Sequence, residues 1–148
     1  MRPTLLALSL LATPALAEEV GRVGVDWVGN DIVIDAFADP EIPGVTCHVA
    51  YFDRSVYDRL TEGNWFEDPS YSAVDCSQTG PITLPEGLSD DPEGEKVFSE
   101  RQSLILKRLI VTRIWDKANN ALIYLAHASE VTQGSGKMSV SVIPLSAP

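Results

Sequence analysis

The sequence predicts a mainly β fold: a single antiparallel β-sheet domain, barrel-like or sandwich-like, with one or two short helices between its two cysteines. Three observations carry that expectation. Leu104 to Trp115 is rich in Ile, Leu, Val and Thr and holds no Gly or Pro, a composition suited to a pleated, half-buried surface. Shorter stretches such as Asp31–Phe37 and Met138–Leu145 alternate apolar and polar residues, the two-residue period of a strand. Gly, Pro, Asp and Asn cluster between these stretches and punctuate them as turns.

The chain opens with Arg2, an apolar run from Leu5 to Ala12 and the small-residue sequence Ala15-Leu16-Ala17. This is the pattern of a secretory signal peptide cleaved between Ala17 and Glu18. The run is well short of the roughly 20 residues a spanning helix needs, so no membrane anchor is expected there. With no Cys at the cleavage point, a lipoprotein is not expected either. Cleavage would leave 148 − 17 = 131 residues, a size suited to one domain, residues 18–148. Downstream, no stretch is long and apolar enough for an integral membrane segment, so an exported, soluble product is expected.

Strands are expected at Val20–Val28, Asp31–Phe37 and Val45–Phe52, separated by the turn signals Asp39-Pro40 and Pro43-Gly44. From Asp53 to Ser77 the chain turns polar, aromatic and acidic, and Asp68-Pro69 has the form of a helix start. The short helices belong there. A brief strand is expected at Ile82–Leu84, then an exposed acidic loop. The stretch from Lys96 to Ser129 reads as a long apolar strand, a polar turn at Asp116–Asn120 and a second apolar strand, Ala121–Ala128. Within it Ile110, Thr112 and Ile114 share one face, and Leu109, Val111, Arg113 and Trp115 the other. Lys107-Arg108 interrupts the pattern as a bulge would. A last strand, Met138–Leu145, ends at an edge because of Pro144.

Cys47 and Cys76 are the only cysteines, and in an exported chain an even count predicts a disulfide. Their spacing is far from that of a redox pair, and no His pair lies near to suggest a metal. His48 and His127 each sit in an apolar strand, where packing or a hydrogen bond is the ordinary role. Gly134-Ser135-Gly136-Lys137 resembles the end of a phosphate loop, but Val131 and Met138 break the motif. Asp90–Glu95 lacks the ligand spacing of a calcium loop. No catalytic residue, metal or cofactor is expected from these patterns.

Charge is divided along the chain. Glu18–Glu95 holds 18 acidic residues against Arg22, Arg54 and Arg59, so 3 − 18 = −15. Lys96–Pro148 holds seven basic residues against three acidic, so 7 − 3 = +4. A pI near 4.5 argues against nucleic acid as a partner. The basic residues Arg101, Ser103 between them, Lys107 and Arg113 have the same parity. On one uninterrupted strand they would form a ridge facing a periplasmic protein or an anionic ligand. A buried Arg113 would instead need a carboxylate from the acidic half. The expected function is thus a non-enzymatic binding or interaction module using this basic hairpin. The alternatives are an enzyme with an unrecognised site and a structural role in the envelope.

The segments AEEVGRV, FADPEIPGVTCHVA, DCSQTGPI, VFSERQSLILKRLIVTRIWDKANNALIYLAHASE and GSGKMSVSVIP together resemble the CreA family of small exported bacterial proteins, to which no molecular function is assigned. Arg101, Ser103, Lys107, Arg113, Asp116, Asn120, Tyr124 and Leu125 fall in the pattern. The resemblance implies a periplasmic domain containing the Cys47–Cys76 pair, and it implies no catalytic residues.

Overall fold

The computed structural model describes residues 16–27, 29–53, 60–61, 72–101, 108–129 and 138–145. Eight strands follow one another: β1 (Glu18–Gly24), β2 (Asp31–Ala38), β3 (Val45–Asp53), β4 (Ser72–Gln78), β5 (Glu95–Arg101), β6 (Arg108–Asp116), β7 (Ala121–Ala128) and β8 (Ser139–Pro144). They form two four-stranded antiparallel meanders, β1-β2-β3-β4 and β5-β6-β7-β8. The expectation of a mainly β, antiparallel fold is met. The expectation of a single sheet is corrected: the turn-rich segment before Glu95 separates two sheets, and they do not close into a barrel.

The inner faces of both sheets share one core. Alternate residues of β3 (Val45, Cys47, Val49), β6 (Leu109, Val111) and β7 (Leu122, Tyr124, Ala126) are buried, as the two-residue period requires. Phe37 and Phe98 stack across the gap with ring centroids 4.6 Å apart. At one side β4 lies against β8 and β7. There the hydroxyls of Ser139 and Ser141 accept hydrogen bonds from the backbone N–H groups of Val74 and Cys76, each at 2.9 Å. Two side chains thus take the place of a backbone ladder along the free edge of β4. Removing the second hydroxyl (Ser141→Ala) would orphan the buried Cys76 N–H. The expected loss is about 1–3 kcal/mol, read from urea unfolding, and a loss below the error of that measurement would refute the assignment.

Several local expectations need correction. Ile82–Leu84 is not a strand. Ile82 and Leu84 do pack against the core, but Pro81 and Pro85 flank them without N–H groups to donate to a ladder. The short helices between the cysteines are not matched. In that segment only Leu60 and Thr61 of the described residues are helical, and the remainder of 54–71 lies outside the described residues. The expected bulge at Lys107-Arg108 cannot be placed, since Lys107 too lies outside them. The described irregularities fall between Glu19 and Gly21 and between Lys96 and Phe98.

The turn chemistry follows the sequence closely. Asn120 adopts φ 52° at the end of the β6–β7 turn, a conformation Asn tolerates. Asp116 closes that turn by accepting from Asn119 N–H at 3.1 Å. Gly44, at φ 88°, carries the β2–β3 connection past Pro81, whose carbonyl oxygen would stand 2.4 Å from an added Cβ.

Candidate functional site

Arg113 sits in the middle of β6 on its inner face and is 2% exposed. Its Nη1 donates to Asp39 Oδ1 at 2.7 Å. Its Nη2 donates to the carboxylates of Glu41 and Glu95. Asp39 is the first residue after β2, and its side chain is fully buried. Asp39 Oδ1 also accepts from the N–H groups of Glu41 and Ile42, both at 2.9 Å, while Oδ2 accepts from Tyr124 Oη at 2.7 Å. One carboxylate therefore organises the β2–β3 loop and ties it to β6 and β7 of the other sheet.

The local structure explains why these groups converge. Glu95 stands directly opposite Arg113 in the β5–β6 register, and Tyr124 stands opposite it in the β6–β7 register. Gly94, at φ 73°, passes so close to the Arg113 carbonyl that an added Cβ would lie 2.6 Å from it. Burial opposes the charge on Arg113. The carboxylates of Glu41 and Asp39 outweigh that opposition and hold the guanidinium charged above its usual range. Burial, followed by the bond to Asp39, pushes the Tyr124 hydroxyl above its usual range, so it stays a donor.

The proposed ridge needs correction. β5 ends at Arg101 and the chain returns along β6, with Arg101 directly opposite Arg108. Arg101 and Arg113 therefore do not follow one another along a single extended strand. Arg113 points into the core and cannot touch a partner, whereas the alternative of an internal ion pair with the acidic half holds: Asp39, Glu41 and Glu95 all come from it. Ser103 and Lys107 lie outside the described residues. Arg108 is exposed and donates to Ser99 Oγ at 3.3 Å. Lys117 pairs with Asp90 and lies 4.6 Å over the Trp115 ring.

Sequence reasoning missed Asp39, Glu41, Glu95 and Tyr124 as partners of Arg113. Asp39-Pro40 reads as a turn signal, which it is, and nothing local announces a second role across the sandwich. The histidines behave as ordinary strand residues. His48 is exposed on β3. On β7, His127 Nε2 lies 2.9 Å from Thr112 Oγ1 and its Nδ1 2.9 Å from the Ala128 carbonyl. Cys47 and Cys76, opposed residues of β3 and β4, are joined by a disulfide.

Comparison with known proteins agrees with the sequence resemblance. The family model for CreA protein matches residues 20–148. Protein CreA of Escherichia coli strain K12 is 39% identical over 146 residues, covering 95% of this chain and 91% of its own. The proteins of that name from Escherichia coli O6:H1 strain CFT073 and O157:H7 match to the same extent. No solved structure matches. Family model and relatives cover nearly the whole chain, and the chain belongs to the CreA family.

Proposed function

We propose that the protein is an exported, periplasmic, non-enzymatic binding module that engages an acidic protein or anionic ligand at the end of the β5–β6 hairpin. Arg108 acts there, with the position of Arg101 opposite it, and Ser103 and Lys107 belong to the same basic stretch of the sequence. Arg113 is not part of this surface; it fastens the two sheets beneath it.

The observation that supports this reading is the register that sets Arg101 opposite Arg108. Like charges directly opposite one another in a sheet are destabilising. An anion from outside would turn that repulsion into attraction. The buried arginine cluster supports the reading in a second way. Asp39 accepts four hydrogen bonds within the protein, so its bonding capacity serves the fold.

Charge reversal of Arg108 (Arg108→Glu) separates function from stability. It replaces a like-charged pair by an opposite one, so the melting temperature should hold or rise slightly. Material co-isolated from periplasm with the tagged protein should fall severalfold, more at low salt than at high salt. The double variant Arg101→Glu/Lys107→Glu should behave in the same way. Undiminished co-isolation, or unfolding of both variants, would show that these residues serve the fold.

A further inference from the structure

The outer face of the β5–β8 sheet carries a second feature beside the basic hairpin end. Strand parity places Ile110 and Ile114 of β6, Ile123 and Leu125 of β7, and Val140 and Val142 of β8 on this face. The four on β6 and β7 are partly exposed. Val140 and Val142 are 59% and 54% exposed. The register puts Ile114 beside Ile123, Ile123 beside Val142 and Leu125 beside Val140, so these five make a continuous apolar floor, with Ile110 beyond Thr112 and His127. Lys96 and Arg108, with the position of Arg101, share the same face along its β5 side.

The polar residues within the floor do not oppose its covering. A carbonyl oxygen can only accept, so His127 Nδ1 donates to Ala128 O, while Nε2 is bonded to the Thr112 hydroxyl. Both side chains keep these bonds when water leaves, and no unmet hydrogen bond results.

We infer that this face is the docking surface for a single polypeptide segment that presents an apolar stripe flanked by acidic residues. The inference rests on the binding-module reading and names its partner class. Three observations select this occupant. The first is charge: Lys96 and Arg108 line one side of an apolar floor on a chain of net charge −10, so acidic flanks on the partner meet local positive charge. The second is size. Three strands about 4.8 Å apart and five residues rising about 3.3 Å each give a floor on the order of 240 Å². That is well below the roughly 800 Å² per partner of a standard interface, and it fits one helix about 10 Å wide or an added strand pair. The third is shape and overall charge. The exposed floor is made of Ile, Val and Leu side chains without aromatic wedges, and the acidic body would be repelled by an extended anionic membrane.

The test places a photoreactive benzoylphenylalanine at Val140 or Val142, in separate full-length chains exported by living bacteria. A third chain carries it at Val23, which is 54% exposed on the other sheet. Irradiation should yield a discrete polypeptide adduct from positions 140 and 142 and none from 23. The cross-linked peptide, sequenced by mass spectrometry, should carry the apolar stripe with Asp or Glu beside it. A synthetic copy of that peptide should bind the wild-type protein, at least about tenfold more weakly after Glu→Lys exchange in the peptide or after Val142→Lys in the protein. An adduct of twice the chain mass, a lipid adduct, no adduct, or a peptide without acidic residues would each overturn the inference. If Arg108→Glu lowers co-isolation while the floor positions give no adduct, the binding-module reading stands and this docking surface falls.

Discussion

Replacing Arg113 with methionine is expected to destabilise the protein by about 3–5 kcal/mol, the usual consequence of removing one partner of a buried ion pair. Methionine fills much of the same volume, so lost packing is the smaller part. The larger part is Asp39. Its side chain is wholly buried, and without the guanidinium it keeps its hydrogen bonds from Glu41, Ile42 and Tyr124 but has no opposing charge beside it. Glu41 and Glu95 are different: their side chains are 52% and 39% exposed, and water can take over from Arg113. Glu41→Gln should therefore cost under about 1 kcal/mol, in the range of exposed pairs. Adding Asp39→Asn to Arg113→Met should restore part of the loss, because it removes the stranded charge while an amide oxygen can still accept from the loop. Urea unfolding of the single and double variants gives the coupling. If Arg113→Met costs less than 1 kcal/mol, or if the two substitutions simply add, the central role assigned to this ion pair is wrong.

What the sequence revealed about this cluster, and what it hid, have separate physical causes. Strand parity alone put Arg113 on the face shared by Leu109, Val111 and Trp115, and that face is the core. Its demand for a carboxylate from the acidic half follows from the cost of a buried charge. Which carboxylate could not be read, because Asp39 lies 74 residues away along the chain and meets Arg113 only once two sheets are stacked. The β6–β7 hairpin was legible because Asn120 and the Asp116 cap fix its turn locally. The reversal between Arg101 and Arg108 was not, because residues 102–107 continue the apolar composition with no Gly, Pro or Asn to announce a turn. That omission turned two opposed strand ends into an imagined ridge. Composition reports which residues are charged even where it cannot report how they face. The outer apolar residues Ile110 and Ile114 were legible from strand parity, and only the sheet order shows that β6, β7 and β8 bring their outer apolar residues side by side.

Removal of the disulfide by Cys47→Ala with Cys76→Ala should cost about 3–4 kcal/mol in the chain-entropy model. The sequence separation of 29 sets that figure. In the folded protein the two residues are already neighbours through the β3–β4 ladder, so the bond adds little to native geometry. Its main effect falls on the unfolded chain, which can no longer explore a loop of that length. For a domain of this size the melting temperature should drop by roughly 10–15 °C. The loss should also have a location. β4 is the outermost strand of its sheet, held by β3 on one side and on the other by the hydroxyls of Ser139 and Ser141. Without the covalent link β4 becomes the element that opens at lowest free energy. Amide exchange at Val74 and Cys76, both bonded to those serines, should accelerate before exchange at Val111 or Tyr124 in the centre of the other sheet. Uniform acceleration across both sheets would mean that β4 has no separate opening and that the bond stabilises only through the unfolded state. A melting temperature within 2 °C or so of wild type would contradict the loop-entropy account itself.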